Sequence, residues 1–348
     1  MNPTDTAAVT RPEWFPSATR GMVLALAFVL ASGCARKVEF KSDAIDEEMA
    51  QFNRDAWNSF EHRRFGELEA VAAQAIKERA IFGTGSWKIT QLHWAITPPS
   101  EGAINWKWYD EHIRDWEAKY PQSVTAHIVH AQYYTAFAWN ARGGEDSDKV
   151  KPDAWPLFEE RLGEANKQLA IASRLAQKSP MFWHAGFTVA LGQGWPKEAA
   201  IKWFKAAKEA YPDYWGFDAA LYQFLLPRWY GEEGEWEKMA LEEIKRPGGL
   251  AEEGYARAVL GMEMYHKNVF KETKADWQIV KTGFLQMREK YPTSKLILNQ
   301  FAFVAILAED RQTAMPLFKE IGVHPDPGVW GSVAQYKDNR NWVNGGRY

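Results

Sequence analysis

Apolar residues along this chain recur three and four positions apart, with charged residues between them, and rarely alternate. Ala199, Ala200, Trp203, Phe204, Ala207 and Tyr211 mark one face of a helix at this spacing. Pro196 falls where a first-turn proline is tolerated, and Pro212 stops the continuation. Period-two runs of β-branched residues are scarce. The pattern predicts an all-α chain of short helices with little between them. Three stretches break it. Thr97 to Gly102 and Gly143 to Pro152 are loops by composition, and residues 337–348 are expected to form a frayed polar tail.

The same helix carries a repeat signature. Ala200, Phe204, Ala207 and Pro212 have the spacing of the second-helix positions of a tetratricopeptide repeat, whose period is about 34 residues. Trp183, Phe187 and Leu191 fall at or beside the first-helix positions, with Thr188 where a glycine is usual, so a looser helix approach is expected there. Leu298, Phe301, Ala302 and Ala305 followed by Ala314, Phe318 and Ile321 repeat the arrangement. Fainter copies run through Phe52, Ala56, Leu68, Ala72 and Ala75, through Tyr109, Ile113, Trp116 and Pro121, and through Val280, Phe284, Met287 and Pro292. The helix-ending pairs Tyr120-Pro121, Ser179-Pro180, Tyr211-Pro212 and Tyr291-Pro292 are unevenly spaced. The expectation is therefore an irregular tetratricopeptide-like α-solenoid over residues 44–336, each hairpin burying its apolar face only against its neighbours. An irregular helical bundle is the alternative.

The N-terminus reads as an address. Arg11 and Arg20 precede a short apolar run, Met22 to Ala31, that ends in Ala31-Ser32-Gly33-Cys34. Ten residues are too few to span a bilayer as a helix, which needs about twenty, but suit the apolar core of a signal peptide. Leu30 to Cys34 resembles a bacterial lipoprotein signal. Residues 1–33 would then be removed, Cys34 lipidated, and residues 34–43 left as a tether. Cys34 is the single cysteine of the chain, so an intramolecular disulfide and a cysteine-based zinc site are both excluded. Ala35 after the cysteine, rather than aspartate, favours the outer membrane by resemblance to the sorting rule of enteric bacteria.

Composition narrows the function classes. A net charge of −3 and the lack of a basic stripe argue against a nucleic-acid partner. Tryptophan is abundant, at 18 residues, and is scattered over nearly every helix, which suits packing between helices better than one stacking surface. Nucleophile-elbow, Walker, Rossmann and zincin motifs are missing, and no cofactor signature stands out. His127 and His130 share a helix face, but a metal would need a third ligand from elsewhere. Asp146 and Asp148 lack the spaced acids, central glycine and terminal glutamate of an EF-hand loop.

The least generic run is Leu225 to Trp236 (LLPRWYGEEGEW). Arg228, Trp229, Tyr230, Glu232, Glu233 and Trp236 make it the candidate binding or structural signature. It reads first as a tight inter-helix turn: Pro227 closes one helix, Gly231 and Gly234 permit the bend, and Glu235 sits near the next helix start. Arg228 is expected to bond helix-end carbonyls or a carboxylate. This run resembles the bacterial family called domain of unknown function 4034. So do Phe82, Gly85 and Trp87, Gln193-Gly194-Trp195, Tyr255-Ala256-Arg257, Tyr291 to Ser294, and Asn299 to Ala302. The resemblance spans about Phe60 to Ile321 and implies a helical, repeat-like domain with no assigned activity.

Three roles stay open on the sequence. One is a lipid-anchored, periplasm-facing scaffold that binds a protein or peptide through a concave face. Another is a glycan-binding or glycan-processing protein using Trp106, Trp108, Trp229, Trp236 and the Glu232–Glu235 cluster, which requires two carboxylates facing each other across a cleft. The third is a purely structural envelope component.

Overall fold

The structure is a computed structural model and describes residues 37–175 and 178–346. The segment 1–33 expected to be a signal peptide, and Cys34, lie outside the described residues. The described chain is all helical, without a strand; Ile81 and Trp87 form an isolated antiparallel bridge.

The helices follow in short succession: α1 (Ala44–Glu61), α2 (Phe65–Glu78), α3 (Lys88–Ile96), α4 (Trp106–Lys119), α5 (Val124–Arg142), α6 (Ala154–Arg174), α7 (Pro180–Gln193) and α8 (Lys197–Ala210). Beyond them come α9 (Gly216–Phe224), α10 (Glu235–Glu243), α11 (Ala251–Met262), the one-turn α12 (Val269–Glu272), α13 (Trp277–Lys290), α14 (Lys295–Leu307), α15 (Arg311–Ile321) and α16 (Val333–Val343). Local chemistry sets many of the starts. Ser123, Ser179, Ser294 and Ser332 each turn a hydroxyl onto a free N–H of the following turn. Asp43 and Asp46 cap α1 reciprocally, each carboxylate accepting from the other's backbone N–H.

The periodic positions read from the sequence lie on the buried faces. Phe187, Leu191, Ala200, Phe204 and Ala207 close α7 on α8, and Leu298, Phe301, Ala302, Ala305, Ala314, Phe318 and Ile321 close α14 on α15. The close approach of α7 and α8 comes from Gly186. A Cβ there would stand 2.4 Å from the Trp203 ring, so the glycine, two residues before Thr188, admits the indole.

Three features depart from the sequence reading. The expected tail is folded as far as Val343: α16 buries Tyr336 and Val343, and Arg340 donates to the Gly322 carbonyl. Tyr336 stacks on Phe318, which supplies the apolar partner that a polar composition hid. The segment before α1 is not a free tether either, because the Glu39 N–H donates to the Val323 carbonyl.

The third departure concerns the inner face. Helix α3 has Ile89, Leu92, His93 and Ile96 fully buried. Thr90 bonds Tyr214 at 2.8 Å, His93 bonds Gln132 of α5 at 2.7 Å, and Asn53 of α1 reaches Gln91. Trp87 sets its ring edge-on to Tyr214. The same N-terminal part reaches much later elements: Arg79 pairs with Asp213, Arg257 donates to the Thr84 carbonyl, and the Lys295 N–H donates to Asp43. Around α3 the early hairpins therefore meet later elements directly, and side chains of α1, α2, α5 and α7 pack there.

Leu92→Ala is expected to cost about 2–5 kcal/mol, since it empties a site the closed interior cannot collapse into. Urea denaturation followed by circular dichroism checks it. A loss below about 1 kcal/mol would mean that α3 is not packed as described.

Candidate functional site

The sequence signature from Leu225 to Trp236 connects α9 to α10. Leu225 and Leu226 are buried and anchor the turn. Backbone bonds then knot it: the Trp229 and Gly231 N–H groups both donate to the Leu226 carbonyl, and Tyr230 N–H donates to that of Phe224. Gly231 is required, because a Cβ would lie 1.9 Å from the Leu225 oxygen. Tyr230 hydroxyl donates to the Leu191 carbonyl at the end of α7, fixing the turn to its neighbour. Trp236 is buried beside Tyr222.

The polar residues of the run do not form one site: Glu232 and Glu235 meet at Lys197, while Arg228 and Glu233 stand apart from it. Arg228 is exposed and, among the described residues, makes no hydrogen bond or close ion pair, against the expectation of a carbonyl or carboxylate partner; its charge acts at longer range on Asp146 and Tyr265. Glu233 is exposed, and the Glu232 side chain is 86% exposed with one carboxylate oxygen 3.9 Å from Lys197 Nζ. Glu235 folds back to accept from the Glu232 N–H and pairs with Lys197 at 3.0 Å. No two carboxylates of the cluster face each other across a cleft.

His127 and His130 do meet a third group. Glu117 of α4 places one carboxylate oxygen 3.0 Å from His127 Nδ1 and 2.9 Å from His130 Nδ1. Gln168 of α6 also reaches His127 Nδ1, and Asp110 stands 3.6 Å from His130 Nε2. The imidazoles flank the carboxylate instead of surrounding a common centre, and among the described residues no group of three His, Cys, Asp or Glu is placed to hold a metal ion. The cluster is an ion-pair network. His127 Nε2 faces the Pro121 carbonyl at 3.3 Å, so both ring nitrogens look onto acceptors and the ring favours the doubly protonated form. The bond to Glu117 outweighs burial and raises His127 to about 9. Burial pushes Glu117 the other way, but the two imidazole hydrogen bonds win and hold it below the usual carboxylate range.

A second buried charge pair, Lys208 with Asp218 at 2.6 Å, ties α8 to α9 next to the bidentate Arg246–Glu243 pair. Lys208 also donates to the Pro212 and Tyr214 carbonyls, while Asp218 Oδ1 is buried without a hydrogen-bond partner among the described residues. In the loop after α5, Asp146 pairs with Lys149 at the surface and Asp148 is exposed.

The candidate site lies instead where the ends of α5, α6, α7 and α8 meet. An apolar cleft of about 410 Å³ is lined by Val124, Ala172, Phe182, Trp183, Trp203 and Ala210, with Ser173, Lys178 and Ser179 at its polar edge. The rings are held in place. Trp203 Nε1 donates to the Trp183 carbonyl at 2.9 Å, the two indoles meet at 4.6 Å, and Phe182 packs on both. Lys178 donates to the Ser173 and Leu175 carbonyls, closing the end of α6. A preformed apolar cleft of this size with a few polar groups at its edge is the usual form of a ligand pocket. Trp183 and Trp203 had been read only as helix-face positions. The signal in the sequence was the small Ala210 two turns beyond Trp203, which leaves room beside the ring. Compared with family models, with curated proteins and with solved structures, the chain matches none.

The raised His127 gives a pH prediction. An imidazole held above its ordinary 6.5 adds stability that is complete below that value and lost as pH rises through about 9. Thermal stability is therefore expected to fall between pH 6.5 and 9 in the native chain and to fall less in His127→Gln. NMR titration of the His127 ring provides a direct reading; a midpoint near 6.5 would contradict the ion-pair assignment.

Proposed function

We propose that this chain is an envelope lipoprotein, lipidated at Cys34 after removal of residues 1–33, whose tetratricopeptide-like array of helical hairpins binds a protein or peptide segment. The observation that carries the binding part is the aromatic cleft between α5, α6, α7 and α8. An apolar side chain of the partner would enter between Phe182, Trp183 and Trp203, and burying such an anchor is what gives hot-spot residues their weight. The hairpin pairs α7–α8 and α14–α15, with their buried periodic faces, support the repeat reading. The glycan-processing alternative has less support, because Glu232 and Glu235 both lie against Lys197 and Glu232 is 86% exposed. The anchoring part rests on the sequence from Met22 to Cys34. Among the described residues no helix is long and apolar enough to cross a membrane.

Two measurements test the two parts. Cys34→Ser is expected to move the protein from the membrane fraction to the soluble fraction and to remove the mass of its acyl chains. An unchanged distribution would refute the anchor. For the cleft, synthetic peptides carrying one central Phe or Leu are titrated against the folded domain, with tryptophan fluorescence as the readout. Saturable binding is expected, weakened about tenfold or more by Trp183→Ala. Equal binding by the variant, or by peptides with Ala in place of the anchor, would sink the cleft reading.

A further inference from the structure

A small polar cavity lies where the start of α9 meets the end of α10. Asp218 and Tyr222, four apart on α9, share a helix face and line it. Lys208 of α8, Ala240 and Glu243 of α10, and Arg246 complete the lining. Lys208, Asp218, Tyr222 and Ala240 are buried. Ala240 carries no side chain beyond Cβ, and the connection after α10 turns through Gly248 at φ +71° and Ala251 at φ +49°. About 10 Å³ of the cavity is open to the centre of a water molecule, which is about what one water needs.

Bond counting singles out one atom there. The Lys208 ammonium has three donors, which face Asp218 Oδ2 at 2.6 Å and the Pro212 and Tyr214 carbonyls at 3.4 and 3.5 Å. None is left for the second carboxylate oxygen. Arg246 turns two of its nitrogens onto Glu243. Asp218 Oδ1, on a residue 3% exposed, has no hydrogen-bond partner among the described residues. A bare carboxylate oxygen costs more in an interior than a neutral acceptor, and buried polar atoms are answered by protein or by ordered water. Burial, then the charge of Asp218, raises Tyr222 far above its ordinary value, so its hydroxyl keeps its proton and stays a donor.

We propose that this cavity is a hydration site: one long-lived water donates to Asp218 Oδ1 and accepts from the Tyr222 hydroxyl, completing the Lys208–Asp218 pair. Water suits the site better than an ion. The charges around the cavity come as two opposed pairs, Lys208 with Asp218 and Arg246 with Glu243, which leaves no net charge to hold one. The free oxygen needs a donor and the hydroxyl needs an acceptor, and a water is both. The hydrated charge pair then closes the end of the α9–α10 hairpin that lies opposite the Leu225–Trp236 turn. This inference depends on neither the aromatic cleft nor the lipid anchor.

A high-resolution crystal structure of the chain, with magnetic relaxation dispersion of the solvent nuclei, tests the site. The crystal is expected to show one water within about 3.0 Å of Asp218 Oδ1. In solution, Ala240→Val, whose added methyl groups fill the cavity, is expected to lower the dispersion amplitude by the equivalent of one long-lived water. Where that variant folds poorly, Lys208→Met combined with Asp218→Leu removes both charges at similar volume and is expected to lose the same water. Asp218 Oδ1 bonded directly to Tyr222 or another side chain, with no water between, would overturn the proposal. An ion in the cavity would do the same, as would an unchanged amplitude in a folded variant.

Discussion

The burial of α3 on nearly every side is the constraint from which the rest of the structure follows. A helical hairpin in an array hides its apolar face only against its neighbours, and an open array leaves its inner helices facing solvent. Here Ile89, Leu92 and Ile96 are covered by α1, α7 and the 211–215 connection, so the early hairpins must fold back towards the later ones. The polar atoms that come inside with them are then obliged to find partners, because an unpaired buried polar group costs about 1–3 kcal/mol. Thr90 with Tyr214, and His93 with Gln132, meet that demand. His93 Nε2 and His184 Nδ1 stay without a hydrogen-bond partner among the described residues; burial lowers both rings to about 4, so they carry no charge into the interior.

Closing the interior relocates any binding function. A face used to pack one half of the chain on the other is no longer available to a partner, whatever the repeat spacing suggests. What remains is the edge where helix ends meet, and there bulky rings opposite small residues leave space. The cleft beside Trp203 arises from this geometry. Gly186 lets the indole lie deep between α7 and α8, and Ala172 and Ala210 fail to fill the volume around it.

How much of this could be read beforehand depended on the range of the interaction. Helix identity and the buried faces of α7, α8, α14 and α15 were legible, because periodicity is a local property. So was the structural character of LLPRWYGEEGEW, where Pro227, Gly231 and Gly234 fix a turn whatever surrounds it. The partner of Tyr230 was not legible, since Leu191 lies on another hairpin. Neither was α16, whose polar sequence folds only because Phe318 and Gly322 offer an apolar ring and a free carbonyl. The third member of the His127–His130 group failed for the same reason. Glu117 looks like any exposed helix carboxylate until α4 is laid against α5. The motif residues that suggested a known family, among them Gly85, Trp87 and Arg257, turn out to line the junction of early and late hairpins.

The tryptophans show why an aromatic-rich chain need not be a stacking surface. An indole brings large apolar area and one donor, and inside a protein that donor must be answered. Trp116 donates to Glu69, Trp277 to Asp310 and Trp330 to Asn299, in each case from one helix or loop to another. Each such residue joins two elements twice, by area and by a directed bond, which suits hairpins too short to be stable alone. Trp229 breaks the rule: its ring packs edge-on against Trp139 while its Nε1 is buried without a partner. It lies in the turn that the sequence made most distinctive, beside the exposed Arg228. The turn is thus held by its backbone, by Tyr230 and Trp236, and by the pairing of Glu235 with Lys197.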